Sequence, residues 1–171
     1  MIDPEHRDAV DVIVEQWREQ RPDLPDLLPM ALLGRVTRLA LLMQKRMADC
    51  FRRHGLQLGE FDVLASLRRA GPPYTLAPTA LFSMLMVSSG TMTHRLQGLE
   101  KRGLVERLPD PDDARSMRVR LSVAGLALVD RVVADHLANE DRLLEGLDPA
   151  QRQALNALLR HWLRHLESQP D

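Results

Sequence analysis

Apolar residues recur every three or four positions near the start of the chain, which is the spacing of one helix face. They are Val10, Ile13, Val14 and Trp17. We therefore predict a first helix over residues 4–20, with Asp3 as its N-cap and Pro4 in its first turn, where proline is tolerated. Three prolines within residues 22–29 then predict a connection rather than an element.

A broader apolar face follows over residues 30–54, where a second and longer helix is predicted. Its apolar positions are Leu32, Leu33, Val36, Leu39, Ala40, Met43, Met47, Cys50 and Phe51. Gly55 is placed to end this helix as a C′ residue. The width of the face indicates burial on two sides, as at the interface of a dimer. A core within one chain explains it equally well.

Short helices separated by glycine-containing turns occupy the middle of the chain. A third helix is predicted over residues 59–70, and a fourth, short helix has Pro78 near its first position and Ala77 as a poor N-cap. Residues 87–90 form the turn before a fifth helix. Two short helices joined by a tight turn that contains a glycine are typical of a helix-turn-helix.

Alternating apolar and polar residues predict a β-hairpin directly after the fifth helix. Residues 103–108 alternate as a half-buried strand does, residues 109–113 have the composition of a turn, and a second, basic strand ends at Leu121. A helix followed by such a hairpin is the order of a winged helix-turn-helix. We therefore predict a mostly α fold with a small β-hairpin wing.

The C-terminal part of the chain is predicted to be helical again. One long helix covers about residues 122–145 and ends at Gly146. Asp148 as N-cap and Pro149 at the first position begin a last helix, which ends near Leu166. The predicted inner faces of the two helices are aliphatic: Leu126, Val129, Val133, Leu137 and Leu144 in the first, and Leu155, Leu158, Leu159, Trp162, Leu163 and Leu166 in the second.

Composition favours a single domain with an aliphatic core, since 44% of the 171 residues are hydrophobic and only 4% are aromatic. Cys50 is the only cysteine, which excludes an intrachain disulfide framework and fits a reducing cytosol. We predict neither a secretory signal nor a membrane-spanning run, and expect a cytoplasmic protein. Residues 1–29 contain 8 acidic and 3 basic residues, whereas residues 30–171 contain 16 acidic and 20 basic residues. The local field of the basic part can therefore attract DNA despite the net charge of −1.

The fifth helix and the hairpin carry the residues that we expect to contact DNA. Ser88 or Ser89 can cap the helix and leave backbone N–H groups directed outward, which suits phosphate binding. Leu96 and Leu99 are expected to point inward, with Met92 between core and surface. The predicted DNA-binding residues carry hydrogen-bonding groups or positive charge: Ser88, Ser89, Thr91, Thr93, His94, Gln97, Lys101, Arg115 and Arg118.

Two further expectations concern the same surface. Gly98 is expected on or near the outer face of the fifth helix. Arg115, near the hairpin tip, suits a narrow minor groove, and Asp113 is expected to brace it through a charge-assisted hydrogen bond. An ordinary solvated surface is the alternative, because residues 94–120 contain seven Lys or Arg and five Asp or Glu.

Several short segments of this region form a recognisable set. They are Ser89-Gly90-Thr91-Met92-Thr93, Arg95, Leu99-Glu100-Lys101-Arg102-Gly103-Leu104-Val105, Asp112-Asp113-Ala114-Arg115-Ser116 and Val119-Arg120-Leu121-Ser122. Together they resemble the MarR family of transcription regulators, over about residues 30–165. The resemblance implies a homodimer with a winged helix-turn-helix over residues 56–122 and intertwined dimerisation helices over 30–55 and 123–167. Two recognition helices would then read a pseudo-palindromic operator with half-sites about one DNA turn apart.

The N-terminal segment, residues 1–29, narrows the resemblance to the branch of MarR proteins that respond to urate and related anions. The features similar to that branch are an added helix bearing Trp17, then Arg21-Pro22-Asp23-Leu24 and Pro29-Met30. The branch implies a ligand site between the added helix, the helix before the helix-turn-helix and the recognition helix, with Trp17, Asp62 and Arg95 as ligand-binding residues. It has an asparagine where this chain has Ala70, so the resemblance leaves the ligand unidentified.

The residues themselves allow such a mechanism. Arg95 can turn back under the recognition helix, where Asp62 can pair with it. An anionic aromatic molecule that stacks on Trp17 and competes for Arg95 would shift the helix, provided that it binds the two states with different affinity. The alternatives are a hydrophobic anchor for Trp17 and a structural ion pair for Asp62 and Arg95.

We therefore expect a DNA-binding transcription regulator, in the first instance a repressor released by a small anionic, urate-like ligand, and not an enzyme. No phosphate-binding glycine loop or catalytic carboxylate pair is recognisable, no cofactor or metal is expected, and His161 and His165 are assigned to a solvated helix face. Two alternatives stay open. One is a MarR-type regulator that senses oxidation at Cys50 or pH through buried histidines. The other is a helical dimer that binds a small molecule or a partner but not DNA.

Overall fold

The computed structural model describes residues 7–111, 113 and 116–169. The helices and strands, in chain order, are α1 (Ala9–Gln20), α2 (Leu28–Arg53), α3 (Leu58–Arg69), β1 (Thr75–Leu76), α4 (Pro78–Met84), α5 (Ser89–Lys101), β2 (Val105–Pro109), β3 (Met117–Leu121), α6 (Val123–Leu143) and α7 (Pro149–Glu167). The chain divides into two compact units, Met1–Arg46 and Met47–Asp171, with the boundary inside α2. The predicted division at residues 29 and 30 stays a prediction. None of the helices in the described ranges is both long enough and apolar enough to cross a bilayer.

A reciprocal capping box begins the first unit. The Asp8 carboxylate accepts hydrogen bonds from the N–H groups of the second and third helical residues, at 2.8 and 3.0 Å. The Asp11 carboxylate accepts from the Asp8 N–H at 3.0 Å. The helix predicted over residues 4–20 therefore begins only at Ala9, because this box satisfies the free N–H groups of the first turn. The predicted cap and first-turn proline, residues 3–4, lie outside the described residues.

A small apolar cluster and an ion-pair network hold α1 against the start of α2. The cluster consists of Val10, Val14, Leu27 and Ala31, with Leu24 packed against it. Arg35 donates to the carboxylates of Asp8, at 2.7 Å, and Asp11, at 2.5 Å. The Arg35 hydrogen bond is the largest cause that lowers the pKa of Asp8 from 3.8 to about 2. α2 begins at Leu28, earlier than predicted, because Pro29 is tolerated in a first helical turn.

The core of the second unit is built from the C-terminal end of α2, from α3, α4 and α5, from the sheet and from α6. Its largest fully buried side chains are Phe51, Leu64, Leu67, Leu81, Met92, Leu99, Val63, Val105, Val119, Val129, Val132 and Cys50. Phe51 stacks on Phe61 with ring centroids 4.3 Å apart. Met92 is only 1% exposed, so its predicted position between core and surface is wrong. The reason is that α5 packs against both α3 and α4 and is covered on two sides.

The wing is confirmed, and it forms part of a three-stranded antiparallel sheet in the order β1-β3-β2. β2 and β3 pair from Val105 opposite Leu121 to Pro109 opposite Met117. The two-residue β1 pairs with the other edge of β3 and was not predicted, because so short a strand has no detectable alternation. The fold is therefore mostly α with a small sheet, as predicted.

Several aliphatic surfaces stay uncovered within this single chain. In α6 the buried apolar residues are Val129 and Val132, whereas Val133 and Leu137 of the predicted inner face are 42% and 65% exposed. No residue of α7 is buried, and the five leucines of its predicted inner face are exposed, while Trp162 is half-buried. In the first unit, Leu32, Leu33 and Leu39 of α2 are each more than half exposed. Apolar surface of this extent marks a site of association.

Candidate nucleic-acid interface

The fifth helix, α5, is held at its N-terminus by a side-chain cap. Ser88 is the N-cap, and its Oγ accepts a hydrogen bond from the Thr91 N–H at 3.2 Å. Thr93 Oγ1 donates to the Ser89 carbonyl oxygen at 2.9 Å. Serine is a strong capping residue because its side-chain oxygen satisfies one of the N–H groups that lack a partner within the helix. The prediction that Ser88 or Ser89 caps this helix is confirmed for Ser88.

The outer face of α5 brings most of the predicted DNA-binding residues together. All seven predicted residues of α5 and its N-cap are exposed: Ser88, Ser89, Thr91, Thr93, His94, Gln97 and Lys101; the acidic Glu100 of the same helix is exposed as well. Met92, Leu96 and Leu99 on the opposite face are buried in the core of the second unit. The hydroxyl, imidazole, amide and ammonium groups therefore form one continuous surface of hydrogen-bonding side chains on a rigidly packed helix. Such a surface can reach base edges and phosphates in a major groove.

The turn that leads into α5 carries an exposed apolar side chain. Met86 is 93% exposed and has a positive φ of 49°, a conformation that glycine adopts more easily. The preceding helix, α4, begins after Ala77 without a side-chain cap, as predicted. The arrangement α4, turn, α5 is the predicted helix-turn-helix.

The arginines of the wing strands contact carboxylates of the same region. Arg118 Nε donates to Asp110 Oδ2 at 2.8 Å, and the Arg120 guanidinium donates to Glu106 Oε2 at 2.7 Å. A guanidinium has further N–H donors besides Nε, so this contact with Asp110 does not prevent Arg118 from donating to a phosphate as well. Arg115 lies outside the described residues, so its predicted role and its brace by Asp113 stay predictions. Asp113 itself accepts a hydrogen bond from Ser116 Oγ at 2.8 Å.

The start of α3 packs against α5, through contacts of Glu60 and Gly98 that we did not predict. A Cβ built on Gly98 would lie 3.4 Å from Glu60 Oε1, so Gly98 faces α3 and not the outer surface, contrary to the expectation. The Glu60 carboxylate accepts hydrogen bonds from Arg102 NH1 at 3.1 and 3.3 Å. The spacing of Gln57 and Glu60, a capping-box pattern, was the available signal for Glu60.

Arg95 turns back from α5 toward α3, as the ligand hypothesis requires. A Cβ built on Gly59 would overlap the Arg95 guanidinium, so the side chain occupies the space that a glycine leaves free. Burial raises the pKa of the Asp62 carboxyl, and Coulombic attraction to Arg95 opposes this rise. No hydrogen bond or ion pair within 4.0 Å joins Asp62 and Arg95 in the described part of the chain. The expected direct pair is thus replaced by a longer-range attraction.

Asp62 also lines a groove of about 460 Å³ between α3 and α6. The other charged or titratable lining residues are Arg68, Arg69, Asp130 and His136. Arg68 Nε donates to Asp130 Oδ1 at 2.7 Å across the groove. The groove therefore offers guanidinium and imidazole groups to an anion, close to a carboxyl group that burial has made easier to protonate.

Trp17 lies on α1 in the first unit and is 42% exposed. Asp62 and Arg95 belong to the second unit. A ligand site that combines the three residues stays a prediction.

Cys50 and the partly buried histidines, on which the oxidation-sensing and pH-sensing alternatives depend, lie in the second unit. Cys50 is fully buried, in agreement with a core position and not with a reactive thiol that an oxidant reaches easily. His54 Nε2 lies 2.9 Å from Asp135 Oδ2, and His136 Nε2 lies 3.2 Å from Glu140 Oε1. These pairs keep the pH alternative open. Within the described ranges, no group of three or more His, Cys, Asp or Glu residues is arranged to hold a metal ion.

The family model described as MarR family matches residues 56–117, the span from just before α3 to the first residue of β3. The HTH-type transcriptional regulator PecS of Dickeya dadantii (strain 3937) is 40% identical over 154 residues, which are 90% of this chain and 92% of PecS. The chain belongs to the MarR family.

Solved structures of MarR-family proteins have the same fold. A mutant MarR from E. coli complexed with operator DNA has a TM-score of 0.71 at 25% identity, over 82% of this chain and 99% of that chain. A MarR family transcriptional regulator from Streptomyces coelicolor in complex with DNA has a TM-score of 0.75 at 21% identity, over 86% and 92% of the two chains. This MarR-family protein is a DNA-binding transcriptional regulator and not an enzyme.

Proposed function

We propose that this MarR-family protein binds a pseudo-palindromic operator as a homodimer and represses transcription until a small anionic aromatic ligand releases it. The observation that carries the proposal is the Ser88-capped α5, which exposes hydroxyl, imidazole and amide groups on one face and is buried on the other. An operator occupied at a promoter excludes the transcription machinery. The proposed place of action is the cytoplasm, where operators lie in bacteria such as those of the relatives.

Homodimerisation is supported by the aliphatic surfaces that one chain leaves uncovered. Leu158 and Leu163 of α7 are 68% and 56% exposed, and Leu39 and Leu41 of α2 are 55% and 63% exposed. Such side chains at regular helical spacing match the buried seam of an obligate dimer, whose interface resembles a protein core. A two-fold dimer would present two copies of α5, so that a pseudo-palindrome is the DNA sequence that fits it.

In the proposed complex α5 lies in the major groove. Thr91, Thr93 and Gln97 can contact base edges, while Ser88, Ser89 and Lys101 are suited to phosphates. His94 has a hydrogen-bonding side chain on the same exposed face. The strand arginine Arg118 is proposed to contact a phosphate while its Nε donates to Asp110, and Arg115 is proposed to contact the minor groove.

The proposed ligand links the reading surface to a sensing site. Arg95 belongs to the recognition helix but faces α3, so a ligand anion that attracts its guanidinium would act on α5 directly. Asp62 is proposed to take part through the protonation of its carboxyl, which burial favours. Trp17 is proposed to stack on the ligand ring. The ligand is anionic and aromatic in this proposal, and urate is the first candidate.

A mobility shift on the promoter nearest the protein's own gene tests the DNA-binding part. Thr91→Ala should weaken binding about tenfold, since a well-placed base contact is worth ~1–3 kcal/mol. Gln169→Ala, an exposed polar residue after the end of α7, serves as the control and should bind like the wild type. Equal binding by both variants would refute the assignment of the reading face.

The same assay, titrated with urate, with other aromatic acids and with oxidant, tests the release mechanism. Trp17→Phe and Arg95→Ala should each raise the ligand concentration that releases DNA. If both variants release DNA as the wild type does, the ligand site is wrong. Cys50→Ser should retain the ligand response, and loss of a response to oxidant in this variant would instead favour redox sensing.

A further inference from the structure

The Glu60 carboxylate connects two helix termini. Glu60 lies in the first turn of α3, and its side chain is only 13% exposed. Its Oε2 accepts a hydrogen bond from the Gln57 N–H at 2.9 Å and completes the capping of α3. Both carboxylate oxygens also accept from Arg102 NH1, at 3.1 and 3.3 Å. One carboxylate thus accepts hydrogen bonds both from the start of α3 and from the residue that ends α5.

The contact with α5 is a close fit and not a chance surface pair. Arg102 is the C-cap residue of α5, directly after its last turn. One turn earlier, a Cβ built on Gly98 would lie 3.4 Å from Glu60 Oε1, so Gly98 leaves the space into which the carboxylate reaches. Two turns before Arg102 along α5 lies Arg95, whose guanidinium occupies the space that Gly59 of α3 leaves free. The first turn of α3 therefore contacts α5 at three successive positions along its length.

We propose that Glu60 is a positioning residue for DNA recognition, which holds the C-terminal end of α5 against α3 and so sets the orientation of the reading face. The inference rests on the proposed role of α5 as the recognition helix. Since a small misplacement of positioned groups weakens interactions that need exact geometry, a loosened C-terminal end should reduce affinity without removing any DNA-contacting side chain.

The direction in which DNA affinity changes distinguishes this positioning role from a purely electrostatic effect of the Glu60 charge. Glu60 is an acid next to a DNA-facing helix, so removal of its charge should strengthen DNA binding if charge alone mattered. A positioning role predicts the opposite, namely weaker binding. Glu60→Gln is the suitable variant, because a glutamine side chain can still accept the Gln57 N–H in a capping box. The fold of α3 is therefore retained while the charged contact with Arg102 is lost.

The test measures operator affinity for Glu60→Gln, Arg102→Gln and the double variant. We expect a loss of about fivefold to tenfold for Glu60→Gln, the size of effect that a charge-assisted hydrogen bond allows. The dependence of affinity on salt should keep its slope in this variant, because no phosphate contact is removed. The double variant should bind no more weakly than Arg102→Gln. Asp141→Asn, which removes an acid paired with Arg152 between α6 and α7, is the control and should not weaken binding.

Equal or tighter binding by Glu60→Gln overturns the proposal, as do additive losses, which would make Arg102 an independent phosphate contact. A second measurement needs no DNA. Amide hydrogen exchange of residues 98–102 should accelerate in Glu60→Gln but not in Asp141→Asn, and unchanged exchange also overturns the proposal. If the wild type binds no DNA while exchange responds as expected, the failure lies with the proposed operator binding and not with the positioning of α5.

Discussion

Gly125 is the position where one added methyl group should do most damage to the wing. A Cβ built there would overlap the carbonyl oxygen of Leu104 and lie 2.9 Å from its carbonyl carbon. Both partners are backbone, so neither can rotate away. To accept Gly125→Ala, the start of α6 must move off the chain that enters β2. Two hydrogen bonds join the same elements, from Ser122 Oγ to the Gly103 oxygen at 2.6 Å and from the Ser122 N–H to the Leu104 oxygen at 3.1 Å.

The expected cost of Gly125→Ala follows from these contacts. Overpacking costs about 1–3 kcal/mol, and the loss of two hydrogen bonds adds about 1 kcal/mol each. The higher helix propensity of alanine offsets about 1 kcal/mol of this destabilisation. The free energy of unfolding should therefore fall by about 2–4 kcal/mol, a large part of the ~5–15 kcal/mol that usually stabilises a domain.

Urea unfolding followed by far-UV circular dichroism measures this change, with all variants at one protomer concentration because association adds to apparent stability. Gly90→Ala is the matched control. Gly90 is also in the first turn of a helix, has an ordinary φ, and has no neighbour within 4 Å of a built Cβ. It should be neutral or slightly stabilised. Equal stability of the two variants would refute the reasoning about the close approach.

Three further predictions concern the recognition helix and the first unit. Ser88→Ala should cost about 1 kcal/mol of stability by removing the cap and should weaken operator binding in a mobility shift, whereas unchanged affinity would argue against a role for this helix start. Gly59→Ala should displace the flexible Arg95 guanidinium and change ligand-induced release while leaving the free energy of unfolding within ~1 kcal/mol of the wild type; an unaltered ligand response speaks against Arg95 as a ligand-binding group. The stability that Asp8 gains from Arg35 should be present above pH 3.8 and be lost as the pH falls toward about 2, since its folded pKa is lowered; Asp8→Asn should remove this part of an acid unfolding profile.

Helix limits were predictable where the signal is local. Ser88, Ser122 and Asp148 cap their helices as short polar residues before an apolar run do, and Gly55 ends α2 with a φ of 67°. Each of these features depends on a few neighbouring residues, so a single sequence contains the information. At α1 the predicted start was wrong, because the helix begins at Ala9 with Asp8 as its N-cap.

Contacts between elements were not predictable, because they depend on which surfaces the fold brings together. A glycine at position 59 or 125 looks the same in the sequence as one at position 90, yet only the first two make room for another element. Likewise, Arg118 was predicted to contact DNA, and its hydrogen bond to Asp110 at 2.8 Å was not predicted. The candidate DNA face of α5 was foreseen because helical periodicity alone separates its inner and outer residues.

Two hydrogen bonds of Ser122 attach the start of α6 to the chain that enters β2, so a small tilt at this end becomes a large displacement at the other end of the helix. α6 has 21 residues and so extends about 31 Å, at about 1.5 Å per residue. Over that length, a tilt of about 5° at the Ser122 end displaces the Leu143 end by ~3 Å, close to the ~3.4 Å rise of one base pair. A change of a few degrees at the start of α6 therefore becomes a displacement of a few ångströms at its other end.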